Sequence, residues 1–395
     1  MKSFFEGGFG KYVLPGIILQ SVLIGGGYAT GREIVEYGAK FGAWGWLSGL
    51  ATFLGFAVVS VLSFELIRLS KVYDYKNFIR QIAGPLCHVF DAVYCLFMVL
   101  IIAVMSAATG SIVETVLGLN YWYGVVGITA IVGILHFYGE HLIERFETLG
   151  TVALYAGYLL FSILVISQRS DNIALVFASQ DTSFVPDATV MDALWAGVLY
   201  MAYNLVVLPA SFFTLKRQET RRQSVISGII AGLLMTIPWF LTYFSVLGFY
   251  PDSSVVGAAV PWMVMMQACS ASPWMLVVFG VVMGWTLIET STGIIHALLD
   301  RVNTGLQEAN RSVLTRAQRG YITIGVLVTS MIMSRVGIID LIAKGYNALS
   351  YAFILIFLIP LLTVGVYKIR QKRKLELAAV PVYAETQTNP AAIDF

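Results

Sequence analysis

The sequence predicts an all-α polytopic membrane protein with ten transmembrane helices, divided into two halves of five. Of the 395 residues, 58% are hydrophobic and only 12% are charged, whereas about 25% are charged in a typical soluble domain. Apolar runs of about 20 residues, long enough to span a bilayer as helices, are separated by short polar stretches. Lys and Arg accumulate in every second connection, which is typical of helices that cross the membrane and return.

The predicted spans cover residues 9–37, 43–69, 86–118, 121–138, 141–167, 190–214, 221–249, 274–300, 318–335 and 338–369. The last span is long, and its first part, Gly337–Tyr346, is an alternative separate short helix. An odd number of spans per half gives the halves opposite orientations, which is the geometry of inverted repeats. The predicted division is therefore 1–170 for the first repeat, 171–189 for an extracellular connector, 190–370 for the second repeat and 371–395 for a cytoplasmic tail.

Positive charge predicts the orientation of the spans. Clusters of Lys and Arg follow spans 2, 6, 8 and 10, whereas the connection between spans 5 and 6 is acidic. Because positive residues favour the cytoplasmic side, both termini are predicted to be cytoplasmic.

Three consecutive glycines, Gly25, Gly26 and Gly27, interrupt span 1. Each costs a helix roughly 1 kcal/mol relative to alanine, so a break is expected here. Fourteen residues separate Lys11 from Gly25, or about 21 Å of helix, which places the break near the middle of the bilayer. A broken backbone at that depth must be satisfied by protein or by a water-filled cavity. We therefore expect the glycines and Tyr28 to line a binding site, with close packing of spans as the alternative.

Span 6 carries the corresponding feature of the second half. Tyr200, Tyr203 and Asn204 precede Pro209, which removes a backbone donor and weakens the helix. Aromatic faces suit the apolar part or the ammonium group of a substrate, and the amide of Asn204 supplies both a donor and an acceptor. The alternative is that these aromatic residues only pack between helices.

Span 8 contains a run of polar residues, from Trp285 through Glu289, Thr290 and Ser291, and Trp285 and Glu289 are candidate substrate-binding residues. Helical spacing places Leu287, Thr290 and Ser291 on one face, although such hydroxyls often bond back to their own helix. Glu289 lies near the middle of the span, where a carboxylate is costly and therefore marks function. It is a candidate proton carrier or counter-ion of a cationic substrate; a structural bond is the alternative.

Three motifs resemble the LeuT-fold transporters of the amino acid–polyamine–organocation superfamily, and most of all the YkvI-like bacterial membrane proteins. The motifs are Gly25-Gly-Gly-Tyr-Ala-Thr-Gly31, Tyr200-Met-Ala-Tyr-Asn204 and Thr290-Ser291-Thr292. The resemblance implies a 5+5 inverted repeat in which spans 1 and 6 are discontinuous, in a bacterial cytoplasmic (inner) membrane.

The resemblance also implies roles for individual residues. In sodium-coupled relatives, a carbonyl and two hydroxyls of span 8 bind Na⁺ together with carbonyls of span 1. Here that set would be Val22, Gly25, Leu287, Thr290 and Ser291. An outer gate between spans 1 and 10 would pair Arg32 with Asp340, although Glu33 and Glu36 are competing local partners of Arg32.

The function expected from these features is ion-coupled import of a small amino acid, amine or related zwitterion by alternating access. A membrane sensor that binds such a ligand without transport is the alternative. Na⁺ is the expected coupling ion, and H⁺ replaces it if Glu289 carries a proton. An ion gradient is expected to supply the energy, since the sequence lacks a nucleotide-binding Gly-x-x-x-x-Gly-Lys-Ser/Thr motif. The expected partners are a small-molecule substrate and the lipid bilayer, and nucleic acid is not expected. Enzymatic activity is not expected either, since the sequence has no metal-binding cluster and its four His are scattered.

Overall fold

The computed structural model describes residues 7–138, 155–269 and 273–378, and these ranges form helices and turns without a β-strand. The helices, in chain order, are α1 (Phe9–Leu23), α2 (Gly26–Ala29), α3 (Arg32–Tyr37), α4 (Gly45–Ser70), α5 (Tyr75–Ala83), α6 (Cys87–Leu117), α7 (Tyr121–Tyr138), α8 (Tyr155–Gln168), α9 (Ser170–Ser179), α10 (Val190–Tyr203), α11 (Arg221–Leu247), α12 (Ser253–Val256), α13 (Pro261–Ala268), α14 (Pro273–Glu308), α15 (Arg316–Met333) and α16 (Ile338–Ala378). Short 3₁₀ segments join several of them.

The helices confirm the all-helical membrane class. Within the described ranges, six segments are long and apolar enough to cross a membrane: Ala39–Ser70, Tyr75–Leu117, Val190–Arg217, Arg221–Leu247, Trp274–Glu308 and Ile338–Ala378. The pair α8 and α9, bent by 67°, makes a seventh if it counts as one span. Part of predicted span 5 lies outside the described residues. The count of ten spans, the inverted repeat and the boundaries of the two repeats stay predictions.

The predicted break in span 1 is present. Helix α1 ends at Leu23, and Ile24 leaves the helical region with ψ of 64°, compared with about −42° in a regular helix. Helix α2 is only four residues long. A second break follows at Gly31, whose φ of 81° is left-handed, before α3 begins at Arg32. The first span is therefore made of three short helical pieces.

Residues from two other helices form hydrogen bonds to the backbone at the second break. The Tyr158 hydroxyl of α8 donates to the Tyr28 carbonyl at 2.8 Å. Trp262 of α13 donates its backbone N–H to the Thr30 carbonyl at 3.3 Å and its indole N–H to the Tyr158 hydroxyl. Protein groups thus replace the hydrogen bonds that the broken helix loses, as a low-dielectric surrounding requires.

The second irregular segment lies in the predicted span 6. Helix α10 begins at a capping box formed by Thr189 and Asp192 and ends at Tyr203. From Asn204 to Arg217 the chain continues as a 3₁₀ helix that contains Pro209. Fourteen residues are long for a 3₁₀ helix, whose runs seldom exceed about four residues. This segment packs against α1, so the two irregular stretches lie side by side.

Helix α16 contains no interruption at the position where a separate short helix was the alternative. It runs from Ile338 to Ala378, but its backbone widens into π-helical turns at Leu341–Tyr346, Ile354–Leu358 and Leu361–Gly365. The first of these turns ends at Tyr346, a buried residue. Such π-turns occur often at functional sites.

Replacement of Gly31 by alanine is expected to destabilise the protein by about 2–5 kcal/mol, because two costs add. An L-residue in the left-handed region costs roughly 1–2 kcal/mol, and overpacking a tight contact costs about 1–3 kcal/mol. A β-carbon on Gly31 would lie 2.9 Å from Trp262 Cδ1. The matched control is Gly118→Ala, since Gly118 is also left-handed but has nothing within 4 Å of that position. Thermal unfolding in detergent measures both variants, and equal losses of stability would contradict the packing role of Gly31.

Candidate binding cavity

A cavity of about 340 Å³ lies where the irregular parts of spans 1 and 6 meet α14. Helix α6 and Tyr346 of α16 complete its described walls. This volume is within the range of small-molecule pockets, roughly 300–1,000 Å³. The cavity therefore has the size and the position of a ligand site between helices.

Six residues predicted to form the site line this one cavity. They come from three distant parts of the chain: Val22 and Gly25, Tyr203 and Asn204, and Glu289 and Thr290. Asn204 donates its side-chain amide to the Tyr200 carbonyl at 2.9 Å, which leaves its amide oxygen as an acceptor. The roles assigned to these residues stay predictions, but the structure brings them together.

Three other residues predicted to bind substrate are not among the described lining residues: Tyr28, Tyr200 and Trp285. The surroundings of Gly26 and Gly27 lie outside what the structure describes. Tyr200 is fully buried behind the cavity, where its ring contacts Tyr37 and Tyr203 with centroids 5.7 and 5.4 Å apart. The Tyr28 ring packs against Tyr158 instead. In this conformation both tyrosines belong to the aromatic core around the cavity.

Part of the predicted Na⁺ site converges on Gly25. A β-carbon placed on Gly25 would lie 3.7 Å from the Thr290 hydroxyl oxygen and 3.9 Å from the Val22 carbonyl oxygen. Ser291 is buried and donates its hydroxyl to the Leu287 carbonyl at 2.7 Å, the local bond that was the alternative interpretation. A hydroxyl that donates keeps acceptor lone pairs, so this bond leaves the Na⁺ hypothesis open.

The predicted pair of Arg32 and Asp340 is not formed in the described conformation. The buried Arg32 guanidinium donates to the Val256 carbonyl at 2.7 Å and to the Ala258 carbonyl at 3.2 Å, and it pairs with Glu36 at 3.1 Å. Asp340 pairs with Lys344, one helical turn away, at 3.0 Å. Arg32 therefore connects the outer part of span 1 to the end of α12 and the loop that follows it, and its charge is paired with Glu36 on its own helix.

Glu33 is a charged lining residue that sequence reasoning missed. Its side chain accepts a hydrogen bond from the Tyr203 hydroxyl at 2.7 Å, and the residue is only 6% exposed. The helical spacing of the charged residues in this segment already indicated that Glu33 points away from Arg32. Arg32 and Glu36 are four residues apart and share a face, whereas Glu33 points about 100° away from Arg32. Glu33 was therefore better placed to face another helix than to pair with Arg32.

Three aromatic rings stand together on the cavity wall. Centroids of Tyr203 and Tyr346 are 4.8 Å apart, those of Phe97 and Tyr346 are 5.2 Å apart, and those of Phe97 and Tyr203 are 5.8 Å apart. All three residues line the cavity, and all three are buried. Tyr203 belongs both to this aromatic trio and to the hydrogen bond with Glu33.

Apart from tyrosines, the ionisable side chains among the described cavity-lining residues are acidic. The described lining residues include two carboxylates, Glu33 and Glu289, and no Lys, Arg or His. With the aromatic trio, they offer hydrogen-bond acceptors and π-faces in a largely apolar surrounding. Such a wall favours a positively charged or polar ligand over an anion.

Cation–π contacts and an ion pair of Arg301, next to the cavity, connect α14 to α6. The Arg301 guanidinium carbon lies 3.6 Å from the ring centroid of Tyr94 and 3.8 Å from that of Tyr75. Arg301 also pairs with Asp91 at 3.4 Å. Since Tyr94 lines the cavity, these contacts close one part of its wall.

Comparisons with known proteins agree with the predicted resemblance. The chain is 25% identical over 342 residues to the uncharacterized membrane protein YkvI of Bacillus subtilis, a match that covers 83% of this chain and 89% of YkvI. A solved structure of a Na⁺-coupled sialic acid symporter, in its substrate-bound outward-open state, matches 90% of this chain and 86% of its own with a TM-score of 0.51. The chain is thus similar to YkvI over most of its length, and it shares the fold of this symporter, a LeuT-like fold. The symporter is only 12% identical, so this likeness concerns the fold alone. No protein-family profile matches the chain.

Proposed function

We propose that the protein is an ion-coupled secondary active transporter that imports a small amino acid, amine or related zwitterion by alternating access. One observation carries the proposal: a small-molecule cavity lies at the meeting point of two irregular helices, next to the break at Gly25 and the 3₁₀ segment after Tyr203. Transporters of inverted-repeat folds place their substrate sites at discontinuous helices near the membrane midplane.

The two ends of this region support alternating access. In the predicted orientation, the described lining residues of span 1 belong mostly to the cytoplasmic side of its break, and Val22 among them is 48% exposed. On the outer side, the chain is closed by the buried contacts of Arg32 with the loop after α12 and of Trp262 with Thr30. This asymmetry fits an inward-facing conformation. During transport, the protein would alternate between this conformation and an outward-facing one.

Na⁺ is the coupling ion that we propose first. The Val22 carbonyl and the Thr290 hydroxyl lie close to one place beside Gly25, and oxygen ligands suit a hard cation. H⁺ is the alternative, with Glu289 as its carrier, because this carboxylate lines the same cavity. We place the protein in a bacterial inner membrane with both termini in the cytoplasm, as the charge pattern predicts.

Purified protein in proteoliposomes is expected to accumulate an amine or amino acid against its gradient when an inward Na⁺ or H⁺ gradient is imposed. A thermal-shift screen of amines, amino acids and osmolytes first identifies the ligand, because a ligand at about 100 times its Kd adds about 2.7 kcal/mol of stability. Empty liposomes and liposomes with a dissipated gradient are the controls. Saturable binding without accumulation under either gradient would contradict transport and favour the sensor.

The combined change Thr290→Ala and Ser291→Ala is expected to raise the Na⁺ concentration for half-maximal uptake by at least about tenfold, equivalent to about 1.4 kcal/mol. Both hydroxyls belong to the proposed ligand set. The matched control is Thr292→Ala, which removes a hydroxyl of the same helix that bonds back to Ile288 and is not among the described lining residues. Initial uptake rates measured over a series of Na⁺ concentrations give the comparison.

An unchanged Na⁺ dependence of uptake in the double variant would show that these hydroxyls are not ligands of the coupling ion. Glu289→Gln then tests the alternative ion. If H⁺ couples through this carboxylate, uptake by the variant loses its dependence on a pH gradient, whereas a Na⁺-coupled protein keeps its Na⁺ dependence after this change.

A further inference from the structure

We propose that Glu33 and the aromatic trio of Phe97, Tyr203 and Tyr346 recognise a positively charged nitrogen of the substrate, so that the cavity selects small organic ammonium ions. This inference rests on the proposed function, since it names the class of molecule that the same cavity carries. It assigns to Glu33 a specificity-determining role.

Burial gives the first argument. A carboxylate in a residue that is only 6% exposed is costly unless a cation or several hydrogen bonds compensate it. Glu36, one turn further along α3, is compensated by Arg32 and by Lys40. For Glu33 the described residues supply the Tyr203 hydroxyl, and none of their Lys, Arg or His side chains forms an ion pair with it. A cation delivered by the ligand would complete the set.

Hydrogen-bonding capacity gives the second argument. An ionised carboxylate has about four acceptor positions, and the Tyr203 hydroxyl occupies one of them on Oε2. The Glu33 carboxylate therefore retains acceptor positions for the N–H groups of an ammonium ion. Such charge-assisted hydrogen bonds are roughly twice as strong as neutral ones.

The aromatic trio gives the third argument and distinguishes an organic cation from a metal ion. Ring faces attract ammonium groups, by about 2 kcal/mol or more where water is excluded. Hard inorganic cations prefer oxygen ligands instead, and the proposed Na⁺ ligands lie on the first span and α14 rather than at these rings. Because Tyr203 bonds to Glu33 and also belongs to the trio, the carboxylate and the rings address the same part of the cavity.

The experiment compares three probes of matched size with different charges: n-butylamine, γ-aminobutyrate and butyrate. Titration calorimetry on the full chain in detergent measures their affinities for the wild type and for Glu33→Gln. The wild type is expected to bind n-butylamine, and to bind it more tightly than butyrate. Glu33→Gln keeps an acceptor for the Tyr203 hydroxyl but loses the charge, so the affinity for n-butylamine is expected to fall at least about tenfold.

Two further variants separate charge from folding. Glu33→Asp keeps the charge and is expected to retain part of the affinity for n-butylamine. Glu114→Gln removes an exposed carboxylate near the end of α6, outside the described cavity wall, and is expected to change nothing. Thermal unfolding of each variant checks that the fold is intact.

The possible outcomes distinguish this inference from the proposed function. Binding of butyrate as tight as that of n-butylamine, failure of both amine-bearing probes to bind, or unchanged n-butylamine binding by a folded Glu33→Gln would overturn the inference. It is also overturned if Glu33→Gln changes only the Na⁺ dependence of uptake, since the carboxylate would then serve the coupling ion. Cation binding that depends on Glu33 without any accumulation in proteoliposomes would support the inference and contradict transport.

Discussion

The rest of the structure depends on one constraint: a helix that is broken inside a membrane must have its freed backbone groups satisfied by protein or by a cavity. The chain meets it in both ways. At the second break, Tyr158 and Trp262 bond to the carbonyls of Tyr28 and Thr30. At the first break, Ile24 and Gly25 face the cavity. The break that weakens the first span thus also creates the place where a ligand can meet the backbone.

The hydrogen bond between Glu33 and Tyr203 connects the interrupted first span to the irregular span that contains α10. Glu33 follows the breaks of the first span, and Tyr203 is the last residue of α10 before its 3₁₀ continuation. The Arg32 guanidinium, on the neighbouring position, faces the outer loop and Glu36 instead. Arg32 and Glu33 therefore face different sides of α3. Arg32 contributes to the closed outer side of the protein, and Glu33 faces the cavity.

Much of the site could be predicted because its signals are local. Consecutive glycines mark the break at Gly25, and polar residues inside apolar spans mark Asn204, Glu289 and Thr290, all of which line the cavity. The orientation of Glu33 depended on a partner 170 residues away, and Tyr346 enters the wall through a π-turn that has no clear sequence signature. The predicted pair of Arg32 and Asp340 is absent from this conformation for a related reason, since the Val256 and Ala258 carbonyls lie at the end of a distant helix and in the loop after it and carry no side-chain signal.

A bulky side chain placed inside the cavity shows whether this space is the transport site. Gly293 and Gly284 both lie on α14, but only Gly293 is among the described lining residues of the cavity. At both positions an added β-carbon would have no heavy atom within 4 Å. Gradient-driven uptake of the substrate into proteoliposomes is measured for Gly293→Leu and Gly284→Leu, each checked for thermal stability. Gly293→Leu is expected to lose uptake, whereas Gly284→Leu is expected to keep it. Equal uptake by two stable variants would contradict this role of the cavity.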